Sequence, residues 1–192
     1  MVWKNINAVE NRLFLGNIMA ARSTRSLAEN RITHILSVCP DPIPAELPEA
    51  GIVHQRINIE DVDYADLLIH LPAACRFIER ALASGGVVLV HCVQGISRSA
   101  AVVAAYCTHI LAQARQPLLT FLLAVMYSRR INSTQALNVV RTARDHIWPN
   151  PGFQEQLVLF ELCQYAPSRS NGIYVNWRTQ LERRLRAAGL PY

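Results

Sequence analysis

Four consecutive apolar residues, Val87, Val88, Leu89 and Val90, stand directly after Gly85-Gly86 and directly before a polar stretch that opens at His91. A strand with no polar side chain has no face to offer to water, so it belongs in the middle of a sheet covered on both sides. Such a sheet needs helices. Leu67, Leu71, Ala74, Ile78 and Leu82 recur at spacings of three and four and mark one apolar helix face, with Pro72 either kinking that helix or opening its main part. Further short apolar runs at 12–15, 32–38 and 53–59 read as strands. Beyond residue 92 the pattern is helical only: 99–115, then 132–147 with Asn132 as N-cap and Gln135 at the capping-box position, then 153–165. The order predicts an α/β fold, a central sheet flanked by helices that crowd into the second half.

A chain of 192 residues, 51% of them apolar, can bury one sizeable core and carry an appendage, but not two enzyme domains. No apolar stretch reaches the roughly 18 residues of a membrane span; the nearest, 118–127, is short and contains Thr120, so no span is expected. The segment Met1-Val2-Trp3-Lys4-Asn5-Ile6-Asn7 lacks the apolar core of a secretory leader, which predicts an intracellular protein, cytoplasmic and/or nuclear. The net charge of +5 is concentrated at one end, because 166–192 hold Arg169, Arg178, Arg183, Arg184 and Arg186 against the single acid Glu182. We read that end as a solvated helix and expect no nucleic-acid partner. Five cysteines, an odd number without a Cys-x-x-Cys pair, argue against both a disulfide framework and a zinc site; no metal is expected. The proline-rich stretch 39–44 is a surface loop, and 167–172 link to a final helix over 177–188.

The chemistry lies where the apolar strand ends. The residues His91-Cys92-Val93-Gln94-Gly95-Ile96-Ser97-Arg98-Ser99 lead straight into the helical run that begins at Ala100, so a thiol sits at a strand-to-helix junction. Successive backbone N–H groups of such a loop point inward, the helix N-terminus adds positive potential, and Gly95 permits a positive φ. A phosphate-sized dianion fits there. Arg98 can offer a guanidinium fork to two of its oxygens, a geometry that lysine cannot copy. The same field favours a thiolate over a thiol, which makes Cys92 a candidate nucleophile. A buried, inert cysteine is the bland alternative. The joint placement of His91, Cys92, Gly95, Arg98 and Ser99 weighs against it. Adjacent His91 and Cys92 point to opposite faces and do not make a metal site.

These residues match the His-Cys-x5-Arg-Ser signature of the cysteine-dependent protein phosphatases, and the chain from about Asn11 to Ala166 resembles the small, atypical members of the dual-specificity branch. Besides the signature, the resemblance rests on Asn11-Arg12-Leu13-Phe14-Leu15-Gly16, on Ile59-Glu60-Asp61, and on Pro149-Asn150-Pro151-Gly152-Phe153 with Gln156-Leu157. It implies a central, mostly parallel sheet, a catalytic domain over 1–166, and an Arg-rich linker and helix over 167–192. It implies phosphotyrosine and phosphoserine/threonine proteins as substrates, hydrolysed through a cysteinyl-phosphate without metal or cofactor. In that reading Cys92 attacks phosphorus, and the N–H groups of Val93, Gln94, Gly95, Ile96, Ser97 and Arg98 hold the oxygens with the Arg98 side chain. Ser99 eases departure of the thiolate, while His91 and Asn150 support the site. An alkoxide leaving group needs a proton. Asp61 lies at the offset where the family places its acid, with Asp63 as the alternative. Cys39 stands where some relatives hold a second cysteine that pairs with an oxidised nucleophile.

Two features qualify the match. A stretch near 107–125 reads as an insert outside the ordinary catalytic core, with Pro117 breaking its helix. The loop side chains Val93, Gln94, Ile96 and Ser97 include no Lys or Arg, which disfavours a highly charged inositol lipid. The alternatives kept open are a phosphatase of RNA 5′-phosphates, phosphoinositides or glycan phosphates, and a phosphate-reading module without turnover. Nothing in the sequence sets the oligomeric state.

Overall fold

Strand β5, Val88–His91, occupies the centre of a five-stranded sheet whose order is β1-β2-β5-β3-β4. The others are β1 (Ile6–Glu10), β2 (Leu13–Gly16), β3 (His34–Ser37) and β4 (Val53–Arg56). The computed structural model describes residues 4–113 and 131–190. β5 runs parallel to β2 and β3, and β3 to β4; β1 alone is antiparallel, paired to β2. The sheet is therefore mostly parallel, as the resemblance implied. His91 is level with both Gly16 and Ser37, so three strands end together and their loops leave from one edge. In open α/β sheets that carboxyl edge is where ligands bind.

Seven α-helices are described: α1 (Ile18–Arg22), α2 (Thr24–Glu29), α3 (Leu71–Ala83), α4 (Arg98–Gln113), α5 (Ser133–Ala143), α6 (Pro151–Leu162) and α7 (Gly172–Ala187). Alternation along β5 divides its side chains between two cores. Val88 and Val90 join the larger one with Leu36, with Ala74 and Ile78 of α3, and with the buried run 100–107 of α4. Leu89 faces the smaller one, beside Ile18, Leu27, Ile35 and Ile43. Both faces of the strand are covered, which is why Val88, Leu89 and Val90 are all apolar. Among the described residues no helix is long and apolar enough to cross a membrane.

Several predicted boundaries move. Of the two places the sequence allows Pro72, the structure takes the helix start, since its missing N–H costs nothing in a first turn of α3. β4 stops at Arg56, although Ile57 and Ile59 stay buried beyond it. The helix expected over 132–147 has the predicted Asn132–Gln135 capping box but ends at Ala143, because Arg144 turns extended to carry its side chain elsewhere. The final helix begins at Gly172, capped by Asn171, five residues before the predicted start. β1, α1 and α2 are additions to the sequence reading. No break occurs at 107: Cys107, Thr108 and His109 are buried and continue α4, and His109 meets the rings of Phe160 and Tyr165. The rest of the expected insert, from 114 on, lies outside the described residues.

Candidate active site

Cys92 is buried in the first position after β5, and α4 begins at Arg98. The loop between them is shaped from outside. Four consecutive carbonyls each have a donor behind them: Val93 O accepts from Ile18 N at 3.1 Å, Gln94 O from Arg144 Nη2 at 3.2 Å, Gly95 O from Arg144 Nε at 2.9 Å, and Ile96 O from Trp148 N at 2.9 Å. A trans peptide is planar, with C=O and N–H on opposite sides. Pinning these four carbonyls outward turns the N–H groups of Gln94, Gly95, Ile96 and Ser97 inward. Gly95 N–H shows the result, donating to Cys92 Sγ at 3.2 Å. The first turn of α4 adds N–H groups that have no partner within the helix.

Gly95 is required twice over. Its φ is +71°, and an added Cβ would lie 2.5 Å from the carbonyl oxygen of Gly16. Close backbone contact at the end of β2 thus sets how deep the loop sits.

Arg98 is 5% exposed. Its Nη1 donates to Ile59 O at 3.0 Å, whereas Nε finds no hydrogen-bond partner among the described residues; the Asp61 Oδ2 atom is 3.6 Å away, and Glu60 Oε2 lies 3.9 Å from Nη1. A buried N–H without a partner is costly, and it is well placed for an oxyanion held by the neighbouring amides. Ser99 Oγ–H donates to Cys92 Sγ at 3.2 Å. The sulfur thus receives two hydrogen bonds, from the Gly95 amide and the Ser99 hydroxyl, both of which stabilise negative charge on it.

Asp61 is brought in from the loop after β4. Ser97 Oγ–H donates to its Oδ1 at 2.6 Å, and Asn150 Nδ2 donates to the same oxygen at 2.9 Å. Ser97 Oγ also accepts from Asn150 N at 3.1 Å, while Asn150 Oδ1 caps α6 by accepting from Phe153 N at 2.9 Å. One serine and one asparagine therefore tie the acid segment, the phosphate loop and the start of α6 together. Asp63 meets this junction through its backbone: a Cβ at Gly152 would come 1.7 Å from Asp63 O, so α6 and the acid segment touch where only glycine fits. Asp66 is occupied elsewhere, accepting from Ile69 N at 3.3 Å and from Tyr174 Oη at 2.6 Å.

His91 is fully buried beneath the loop. Burial pushes its imidazole down to about 4, so the ring is neutral near pH 7. Its Nδ1 lies 3.3 Å from Cys92 O, and its Nε2 lies 2.7 Å from Ser37 Oγ, which in turn is 2.9 Å from His54 Nε2. A carbonyl can only accept, which fixes the proton on Nδ1; Ser37 then donates to His91 and accepts from His54. Cys39 is buried two positions beyond Ser37, the last residue of the strand next to the one that delivers Cys92, and burial pushes its thiol up. All five cysteines are free thiols. Among the described residues no group of three or more His, Cys, Asp or Glu could hold a metal ion.

Sequence reasoning missed Arg144, Ser37, His54 and Trp148. Arg144 is the most consequential. It is 2% exposed, and besides the two loop carbonyls it donates through Nη1 to Lys4 O and Asn7 Oδ1, each at 2.7 Å. Burial lowers its affinity for the proton while nearby Cys92 raises it. The sequence offers no signal for this, because Arg144 looks like one more basic residue on an amphipathic helix.

A sequence model described as "Dual specificity phosphatase, catalytic domain" matches residues 13–112. The chain is 35% identical over 167 residues to dual specificity protein phosphatase MPK-4 of Drosophila melanogaster, covering 85% of this chain and 38% of that protein. It is 35% identical over 161 residues to dual specificity protein phosphatase 22-A of Danio rerio, covering 84% of this chain and 67% of that protein. The crystal structure of the Yvh1 phosphatase domain from Chaetomium thermophilum superposes with a TM-score of 0.67 at 34% identity, over 85% of this chain and 99% of that one. With these matches, the chain belongs to the dual-specificity phosphatases, a family of phosphate-ester hydrolases.

Proposed function

We propose that the chain hydrolyses phosphotyrosine and phosphoserine/threonine monoesters of proteins through a cysteinyl-phosphate. The thiolate of Cys92 attacks phosphorus, forming an S–P bond as the P–O bond to the substrate oxygen breaks. Asp61 gives its proton to that departing oxygen. The inward N–H groups of the loop and the Arg98 guanidinium hold the three remaining oxygens, whose charge changes least in cost where the donors are already aimed. In the second half Asp61 takes a proton from water, the new hydroxide attacks phosphorus, the S–P bond breaks, and the Ser99 hydroxyl stabilises the thiolate as it leaves. Inorganic phosphate and free enzyme result. His91 and Asn150 position the loop and the acid; neither touches the reacting atoms.

The observation that carries this reading is the set of four outward-bonded carbonyls of residues 93–96, which leaves an inward ring of amides around a thiol and an arginine N–H with no hydrogen-bond partner among the described residues. The test is phosphate release from phosphotyrosine and phosphothreonine peptides, a phosphoinositide and 5′-phosphorylated RNA, with rapid acid quenching to trap phosphorus on the enzyme. We expect turnover of both peptides, a trapped phosphoenzyme, and loss of about 10⁴-fold or more in Cys92→Ser. Turnover confined to the lipid or the RNA would replace the protein substrate, and turnover by Cys92→Ser would remove the covalent route.

A further inference from the structure

We propose that Trp148 forms a subsite beside the phosphate loop that takes a large apolar or aromatic residue next to the phosphorylated one in the substrate; this rests on the protein-phosphatase reading above. The turn between α5 and α6 is anchored on both sides of this side chain. Arg144 is buried beneath the loop, Ile147 and Pro149 are buried in the core, and Asn150 is bonded to Ser97 and Asp61. Trp148 lies in the middle of this run with its N–H on Ile96 O at 2.9 Å, yet its side chain is 66% exposed. Tryptophan is the side chain with the most apolar surface to lose by facing water, and here it is exposed on a backbone that has no freedom to turn it in.

The Arg141 guanidinium carbon stands 5.9 Å from the centre of the indole, and Arg141 is itself held by Asn138 Oδ1 at 2.9 Å. A cation over a ring in this way restrains it. An anchored, restrained aromatic side chain binds a partner at small entropic cost, since little is left to order. Its backbone is bonded to the very peptide plane, Ile96–Ser97, whose N–H faces the phosphate pocket. Neighbouring residues of an extended peptide lie about 3.8 Å apart at Cα. Asn150, two residues on, reaches Ser97 and Asp61 at the edge of the site, so the turn that carries Trp148 borders the place where a phosphoresidue and its neighbours would lie. The segment joined to this turn through Asn150 is different in kind: Glu60 and Asp61 are exposed and acidic.

The experiment uses two phosphothreonine peptides, identical except for Leu or Gly beside the phosphorylated residue, and a 5′-phosphorylated RNA. The parent is expected to favour the Leu peptide by about 3- to 10-fold in kcat/KM, expressed in KM. Trp148→Ala should erase the preference, Trp148→Phe should keep part of it, and Val158→Ala, which alters an exposed apolar residue on α6, should keep all of it. Equal loss on both peptides in Trp148→Ala, or an unchanged ratio, overturns the subsite. A loss on RNA without one on the peptides would assign the ring to a nucleobase and overturn it as well. If the parent turns over neither peptide, the protein-phosphatase reading itself fails, a result distinct from turnover of both without preference.

Discussion

The loop between β5 and α4 and the segment that carries Asp61 meet through Ser97, and they are held in different ways. Between Val93 and Ile96 every carbonyl is bonded outward, and the loop rests backbone to backbone on Gly16. Asp61, by contrast, is exposed at residue level, and its carboxylate is held by two side-chain donors, Ser97 and Asn150, with Arg98 Nε at 3.6 Å. Charge stabilisation works best when dipoles are fixed before the reaction, because none must reorganise during it. A proton donor has another duty: it must reach the leaving oxygen and afterwards water. On the proposed mechanism the first task falls to backbone geometry and the second to a side chain on exchangeable hydrogen bonds.

The largest effect that sharpens this contrast comes from Asp61→Asn. The amide keeps an acceptor for Ser97 and Asn150 but has no proton to give, so the loop stays intact while the acid is lost. We expect kcat to fall by about 10² to 10⁴, and the limb of the pH profile that belongs to the acid to disappear. Inhibition by vanadate, which reads the loop, should persist. Unchanged kinetics would move the role to Asp63, the other acid that the sequence leaves open.

Arg144→Met attacks the other side of the comparison. Two loop carbonyls, Lys4 O and Asn7 Oδ1 all lose their donor at once. With the peptide planes of Gln94 and Gly95 freed, kcat/KM should fall by about 10² to 10³, the range seen when a single fixed oxyanion donor is removed. Vanadate affinity should fall in parallel, and the limb belonging to Asp61 should remain. Arg144→Lys keeps the charge but has no fork to serve both carbonyls, so it should recover little. If vanadate binds Arg144→Met as tightly as the parent, Ile18 and Trp148 suffice to hold the loop and the contrast is overstated.

The same division explains how much was legible beforehand. The loop can be read because glycine, arginine and serine at fixed offsets after an apolar strand leave few other meanings. β5, Pro72 at the start of α3 and the Asn132 cap of α5 are local signals, and they stand close to where the sequence puts them. β1 escaped because Ile6, Ala8 and Glu10 alternate with Asn7 and Val9 without a clean apolar face; its place depends on β2 and on Arg144. α1 and α2 are five and six residues long, too short for periodicity, and only their caps Asn17 and Ser23 mark them. α7 has few buried residues, Tyr174, Trp177 and Leu185, so its first turn carries no apolar stripe and is announced by the Asn171 cap alone. Arg144 and the Ser37–His54 pair are matters of tertiary contact, joining residues 49 or more positions apart in one case and strands β3 and β4 in the other. No window of sequence contains them.

The smallest expected effect tests the strand under the loop by pH. In the folded chain His91 is pushed down to about 4 by burial, from an ordinary value of 6.5. Between those two values the unfolded chain binds a proton that the folded chain refuses, so stability rises with pH across that window and is lost on acidification from about 6.5 towards 4. Below the lower value both states are protonated and the loss levels off. The full difference corresponds to about 3 kcal/mol. Burial also lowers His34, His54 and His109, which adds loss of the same sign, so the His91 share must be read as a difference between proteins. His91→Asn keeps an N–H donor near the Nδ1 position for Cys92 O and has nothing to titrate. Urea unfolding at pH 7 and pH 4.5 should show the parent losing about 2 kcal/mol more than His91→Asn on acidification. Equal losses would mean that His91 accepts a proton in the folded state. The neutral ring that donates to Cys92 O and accepts from Ser37 would then not be what supports the loop from below.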